Sequence, residues 1–173
     1  MRRFAVIVTL GALLSMIGGA TAATPALAGG RGDGWTFQDF FPGFTTDNCG
    51  FPINATQDVD KVFSKVLKTA DGSTVFLFTG SAKITFTNPA NGKNVSVNTS
   101  GPAKLTVNAD NSGSFRATGR EPMDLVPADA ARFRLPALFA SSGPITGTFD
   151  TNGNLTSLSL QGHIHVNICA ALG

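Results

Sequence analysis

The chain has 173 residues, and its 13 basic and 11 acidic side chains give a formal net charge of +2. Charged residues make up only 14% of the sequence, which gives no support for a basic surface that binds nucleic acid. The length suits one domain with a single hydrophobic core. Low charge together with many Thr, Val and Phe residues favours strands over helices.

Residues 1–28 have the pattern of a secretory signal peptide. Arg2 and Arg3 precede an apolar run over residues 4–17, and Ala-x-Ala sites predict cleavage after residue 22 or residue 28. The run is shorter than the roughly 20 residues that a membrane-spanning helix needs. We therefore expect a secreted protein with no transmembrane segment in its mature form. Loss of both arginines brings its net charge to about zero.

Residues 29–46 are predicted to form an arm that precedes the domain. The first half is flexible and rich in glycine, and the second half holds Trp35 together with Phe37, Phe40, Phe41 and Phe44. Aromatic side chains at this density are not expected to stay in water, because each can bury a large apolar area. We expect the arm to pack on the domain or on a partner.

Residues 47–173 are predicted to form a single β domain, because apolar and polar residues alternate with a period of two. Turn sequences divide the strands at residues 71–72, 88–92, 100–102, 110–113 and 150–154. Residues 59–68 also fit a helical face, but the Asp-Gly turn that follows favours a strand. A proline-rich break over residues 121–136 allows one helical turn that begins at Pro127.

Eight or nine short strands at this spacing predict an all-β fold, an antiparallel meander that forms an up-and-down barrel of about eight strands. A β-sandwich is the alternative. The last strand is expected to run from Leu155 to Cys169.

The two cysteines of the chain, Cys49 and Cys169, are predicted to form a disulfide bond. Cys49 stands just before the first regular strand and Cys169 ends the last one. The bond would therefore join the two ends of the domain.

Three short segments carry a resemblance to known proteins. They are Cys49-Gly50-Phe51-Pro52, the stretch Phe86-Thr87-Asn88-Pro89 with Asn91-Gly92-Lys93, and the terminal Cys169-Ala170-Ala171-Leu172. Together with the leader, they resemble a group of small exported actinobacterial proteins without an assigned activity. The resemblance implies secretion and an all-β domain, and it implies no catalytic residues.

His163 and His165 are the candidate metal ligands. Residues i and i+2 of a strand point to the same face, so both imidazoles could reach one ion. The same parity places both histidines on the polar face of the last strand, which indicates a solvated surface instead. No third ligand is apparent in the sequence.

Fourteen phenylalanines and no tyrosine suggest an interior that is filled with aromatic rings. Barrels of about eight strands either pack such residues as core or enclose one small ligand. The candidate residues for the lining of a cavity are Phe76, Phe78, Phe86, Phe115 and Phe149.

The predicted function is that of a secreted, non-enzymatic β-barrel protein that binds a small apolar ligand or a cell-envelope partner. The alternative is a barrel enzyme or a metal-binding protein that uses His163 and His165. No catalytic residue and no cofactor are predicted. Glu121 and Asp124 could form an acid/base pair, but their position in the proline-rich break favours a solvated loop.

Overall fold

The computed structural model of the chain describes residues 33–38 and 43–173. The predicted signal peptide, residues 29–32 and the aromatic residues Phe40 and Phe41 lie outside them. The strands are β1 (Thr36–Phe37), β2 (Phe44–Thr46), β3 (Ile53–Lys68), β4 (Thr74–Thr87), β5 (Asn94–Ser100), β6 (Ala103–Val107), β7 (Gly113–Ala117), β8 (Arg120–Asp124), β9 (Leu138–Ser142), β10 (Ile145–Phe149), β11 (Leu155–Leu160) and β12 (His163–Asn167). The helices are α1 (Pro127–Phe133) and α2 (Ile168–Leu172).

The strands form one antiparallel sheet that is nearly closed into a barrel, which confirms the predicted fold class. Strand β3 pairs with β4 from Asn54↔Thr87 to Lys68↔Thr74, so the ambiguous residues 59–68 are a strand. The turn at Asp71-Gly72 joins the two strands, as predicted. Helix α1 begins at Pro127, also as predicted.

Strands β5 and β6 are two parts of one longer strand. Both pair antiparallel with β4, where Lys83↔Asn98 belongs to the first part and Phe76↔Leu105 to the second. The chain therefore keeps its direction across residues 100–102, and the turn predicted there is wrong. Gly101, at a φ of 119°, bends the strand without reversing it.

The same division recurs in β7 and β8, in β9 and β10, and in β11 and β12. It splits the sheet into two half-sheets that share β3 and β4. The lower half-sheet has the order β3-β4-β6-β7-β10-β11, and the upper half-sheet has the order β3-β4-β5-β8-β9-β12.

A row of glycines marks the bend between the half-sheets: Gly80, Gly101, Gly119, Gly143 and Gly162. A Cβ atom on Gly101 would lie 1.8 Å from the carbonyl oxygen of Thr118, and one on Gly119 would lie 2.0 Å from that of Ser100. Neighbouring backbones come this close only where no side chain intervenes. Glycine is thus required at the bend for its lack of a Cβ.

Two apolar clusters form the core. The first joins the inner face of the lower half-sheet to α1 and includes Phe78, Leu105, Phe115, Ile145 and Phe149. The second lies in the upper half-sheet under α2 and includes Ile53, Ile84, Phe86, Ile168 and Leu172. Strands β8 and β9 are buried on both faces, because Met123 and Phe139 join the first cluster while Leu138 and Ala140 join the second.

Two phenylalanines of the first cluster lie over glycines on the neighbouring strand. Phe115 pairs with Gly147 and Phe149 pairs with Gly113. A Cβ on Gly147 would lie 2.5 Å from the ring of Phe115, and one on Gly113 would lie 2.4 Å from the ring of Phe149. The rings occupy the space that side chains at the two glycines would need.

The predicted disulfide between Cys49 and Cys169 is confirmed, with 5.3 Å between the Cα atoms. Cys49 follows β2, which pairs with β3, and Cys169 follows β12 at the far edge of the upper half-sheet. The bond therefore joins the two edges of the nearly closed barrel.

The last strand ends earlier than predicted. Leu155 to Asn167 forms β11 and β12 with a break at residues 161–162, and Cys169 lies in α2. The side chain of Asn167 accepts a hydrogen bond from the backbone N–H of Ala170 at 3.1 Å and caps the helix. Amide groups of Asn88 and Asn91 donate to the carbonyl of Leu172 at 3.1 and 2.9 Å, which fixes its far end.

The described parts of the arm lie along β3. Strand β1 pairs with Phe63 and Ser64, and β2 pairs with residues 53–55. The ring of Phe37 meets that of Phe63 edge-on, with 5.8 Å between centroids. These segments pack on the domain, which was one of the two placements expected.

Candidate functional site

A concave depression of about 320 Å³ lies on the outer face of the lower half-sheet. Four neighbouring strands, β6, β7, β10 and β11, form it. Its lining consists of Lys104, Thr106, Ser114, Phe115, Arg116, Thr146, Gly147, Thr148 and Ser157.

The alternation of the strands explains why most residues of this lining carry hydroxyl groups or positive charges. Leu105 and Phe115 point into the first core cluster and are 1% and 3% exposed, so their neighbours in sequence must point outward. Phe115 and Gly147 therefore contribute backbone to the floor of the depression. The outward residues supply hydroxyl groups and two cations.

The hydroxyl groups form a row across the four strands. Thr106 is opposite Ser114, Ser114 is opposite Thr148, and Thr148 is opposite Ser157. The hydroxyl of Thr148 lies 2.7 Å from those of Thr156 and Ser157. These hydrogen bonds orient the three hydroxyls on β10 and β11 before any ligand arrives.

Lys104 and Arg116 lie directly opposite each other on β6 and β7 and are both exposed. In the part of the chain that the structure describes, neither of them forms an ion pair. Lys83, on the outer face of the upper half-sheet, lies 3.6 Å from the carboxylate of Asp58. Among the described residues, the cation Lys83 on the upper outer face thus has an acidic partner, whereas Lys104 and Arg116 on the lower outer face have none.

Both candidate metal ligands, His163 and His165, are exposed on β12. Ile164 pairs with Ser141 and Val166 with Ala140, so His165 is an extra residue at an irregularity of the ladder. The irregularity interrupts the alternation on which a shared face depends. Within residues 33–38 and 43–173, no group of three or more His, Cys, Asp or Glu residues could hold a metal ion.

The five phenylalanines predicted to line a cavity fall into different clusters. Phe78, Phe115 and Phe149 are buried in the first cluster with Phe76 packed against it, whereas Phe86 is buried in the second. The structure therefore brings four of them together and places the fifth elsewhere.

Glu121 and Asp124 do not share a site. They are three residues apart on β8, so their side chains leave opposite faces of the strand. Both are buried, at 6% and 4% exposure, in a strand that pairs with β9, so the predicted solvated loop is wrong. They therefore do not form the carboxylate pair that glycoside hydrolysis requires.

Asp124 joins β8 to the segment before Cys49. Its carboxylate accepts a hydrogen bond from the amide of Asn48 at 2.8 Å. Burial raises the pKa of Asp124 to about 6, although hydrogen bonds from Asn48 and Thr46 act in the opposite direction. This carboxyl group holds the approach to the disulfide in place.

Comparison of the chain with family models, with curated protein sequences and with solved structures returns no match. The resemblance to exported actinobacterial proteins therefore stays a prediction. No helix in the described part of the chain is long and apolar enough to cross a membrane.

The lining of the depression was not singled out from the sequence, although the alternation assigns Lys104 and Arg116 to wet faces. The missing step was the register of the hairpin. The turn closes with hydrogen bonds between Asn108 and Ser112, and counting four residues back from Asn108 and four forward from Ser112 pairs Lys104 with Arg116. That count would have revealed two like charges side by side.

Proposed function

We propose that this protein is an exported, non-enzymatic binding protein that holds a hydroxyl-rich ligand of the cell envelope, a glycan or polyol, in the depression of the lower half-sheet. The observation that carries the proposal is the row of hydroxyls across four strands, in which hydrogen bonds to Thr156 and Ser157 hold the hydroxyl of Thr148. Hydroxyl groups both donate and accept hydrogen bonds, so they match the hydroxyls of a sugar or polyol.

Export is part of the proposal. It is supported by the signal-peptide pattern of residues 1–28 and by the disulfide bond, because disulfides persist mainly in oxidising compartments. Expression of the full chain in a bacterium, followed by N-terminal sequencing of the secreted product, tests it. We expect the product to begin at Ala23 or Gly29. A chain that stays in the cell with Met1 intact would contradict export.

A binding role is favoured over a catalytic one because the described polar groups with altered pKa values serve local structure. Asp124 binds Asn48, and the turn aspartates Asp71, Asp110 and Asp150 accept hydrogen bonds within their own turns. The earlier suggestion of a small apolar ligand stays a prediction. The hydroxyl-bearing side chains around the depression support a different class of ligand.

Replacing threonine by valine in the depression tests the site, because valine keeps the shape and the strand preference while it removes the hydroxyl. We expect Thr148→Val to weaken binding of oligosaccharides about fivefold or more in calorimetric titrations. Thr87→Val, on the outer face of the upper half-sheet, is the matched control and should leave affinity unchanged. Equal effects of the two variants would contradict the proposal.

A further inference from the structure

We infer that the ligand of the depression is an anionic glycan whose negative group lies between Lys104 and Arg116. The inference rests on the proposed function, since it adds a charge requirement to the same surface. The ligand would be a sugar or polyol chain that carries carboxylates or phosphates.

The register of β6 and β7 brings two positive charges together. Lys104 and Arg116 are direct cross-strand partners, and the Cβ atoms of such partners lie about 4.5–5.5 Å apart. Both side chains are exposed and lie on the same face. Like charges in this arrangement destabilise the strand pair unless a negative group lies between them.

The outward strand positions around the two cations carry hydroxyl groups. The outward positions of β6, β7, β10 and β11, all of them described, are Lys104, Thr106, Ser114, Arg116, Thr146, Thr148, Ser157 and Ser159. None of these residues is acidic. Lys83 on the upper half-sheet has Asp58 at 3.6 Å, so the same sheet does provide a carboxylate elsewhere.

The two cations and the hydroxyl row lie close enough to contact one ligand. The guanidinium of Arg116 can donate two parallel hydrogen bonds to one carboxylate or phosphate, and the ammonium of Lys104 adds a second positive charge. Thr146 lies beside Arg116 on β10, where its hydroxyl can meet the hydroxyls of the same ligand. An anionic glycan offers both kinds of group on one chain.

Four probes of similar length separate the possible ligands in calorimetric titrations of the full mature chain. Alginate oligosaccharides carry carboxylates, and oligomers of glycerol phosphate carry phosphates. Dextran oligosaccharides are neutral, and inorganic polyphosphate is anionic without hydroxyls. The variants are Lys104→Ala and Arg116→Ala. The control is Lys83→Ala, which removes a cation that also lies on the outer face of the sheet but is paired with Asp58.

We expect alginate or glycerol-phosphate oligomers to bind about tenfold more tightly than dextran and polyphosphate, and the preferred probe to identify the acid. Each of Lys104→Ala and Arg116→Ala should weaken that binding about fivefold to tenfold, while Lys83→Ala changes it less than about twofold. Thermal unfolding of each variant verifies that the fold is intact.

Three results would overturn the inference. Dextran that binds as tightly as the acids, with sensitivity to Thr148→Val, would leave the proposed function standing and refute the charge requirement. Polyphosphate that binds as tightly, or equal weakening by Lys83→Ala, would show unspecific attraction of anions. Failure of the wild-type chain to bind any of the four probes would refute the proposed function itself.

Discussion

Gly147 is the residue whose substitution tests the packing of the floor most simply. The ring of Phe115 and the carbonyl of Ser157 lie 2.5 and 2.8 Å from the position that a Cβ would take. We expect Gly147→Ala to lower the free energy of unfolding by about 1–3 kcal/mol, measured by urea denaturation.

A double variant identifies the cause of that loss. If the methyl group collides with the ring, Gly147→Ala combined with Phe115→Leu should cost less than the sum of the single changes. Strictly additive losses would mean that the ring of Phe115 is not the obstacle.

Asp124 makes stability depend on pH over a defined range. Its folded pKa of about 6 exceeds its ordinary value of 3.8, so the folded state holds the proton more tightly. The free energy of unfolding should therefore fall as the pH rises from about 4 to about 6, by at most roughly 3 kcal/mol. Urea denaturation across this range measures the change.

Asp124→Asn is the control for this prediction, because asparagine keeps an oxygen that can accept from Asn48 and carries no charge. The variant should lack the decline between pH 4 and 6 and should be more stable than the wild type near neutral pH. Hydrogen bonds within their turns lower the pKa of Asp71, Asp110 and Asp150, so their contribution is lost only at lower pH. Parallel pH curves for the two proteins would contradict this role of Asp124.

Alternation predicted correctly which residues are buried along the inner faces, for example Leu105 and Phe115. It could not predict the partners of Asp124, because Asn48 is 76 residues away in sequence. Contacts between residues so far apart in sequence form only when the barrel closes. A local pattern of apolar and polar residues does not report how it closes.

The bend between the half-sheets depends on glycine for space, and Gly101 allows a matched test. Gly92 also has a positive φ, of 72°, but a Cβ there would meet nothing within 4 Å. Both substitutions to alanine impose backbone strain, whereas only Gly101→Ala forces a collision with the backbone of Thr118, between β7 and β8. We expect Gly101→Ala to cost at least about 2 kcal/mol more than Gly92→Ala in thermal or urea unfolding. Equal losses of stability in the two variants would mean that the positive φ alone, and not the lack of space for a Cβ, requires glycine at the bend.

At the level of elements, the sequence patterns located the strands but not their continuity. A Gly-Pro pair is typical of a turn, yet at Gly101-Pro102 it bends a strand that continues along β4. The partner strand decides between the two outcomes, because Gly80 on β4 bends at the same level. The residue pattern of a single strand carries no information about the strand that pairs with it, so it cannot predict whether the chain bends or turns.

For the whole molecule, the disulfide joins the edges of a barrel that hydrogen bonds leave nearly closed. The two cysteines are 120 residues apart, so the bond removes much freedom from the unfolded chain. We expect replacement of both cysteines by serine to lower the free energy of unfolding by about 2–4 kcal/mol. Reductant should destabilise the wild type by a similar amount and leave the serine variant unchanged. Equal unfolding midpoints of the two proteins would contradict a stabilising role.

The fold class and the disulfide followed from composition, alternation and the number of cysteines. The depression did not, because its shape depends on the twist of four strands and on the register of two hairpins. The histidines drew attention as the residues with the most distinctive chemistry, yet they lie exposed on β12. Common residues such as Thr148 and Lys104 acquire a candidate role only through their neighbours across strands.

Mapping of amide chemical shifts by NMR tests most directly whether the outer face of the lower half-sheet binds the ligand. Titration with the tightest-binding of the four glycan and phosphate probes should move the amide signals of β6, β7, β10 and β11, with the largest changes near Arg116 and Thr148. Signals of the outer face around Lys83 on β4 and Ser96 on β5 should stay in place. Shifts confined to that face, to β12 or to the buried residues of the second cluster would contradict the claim.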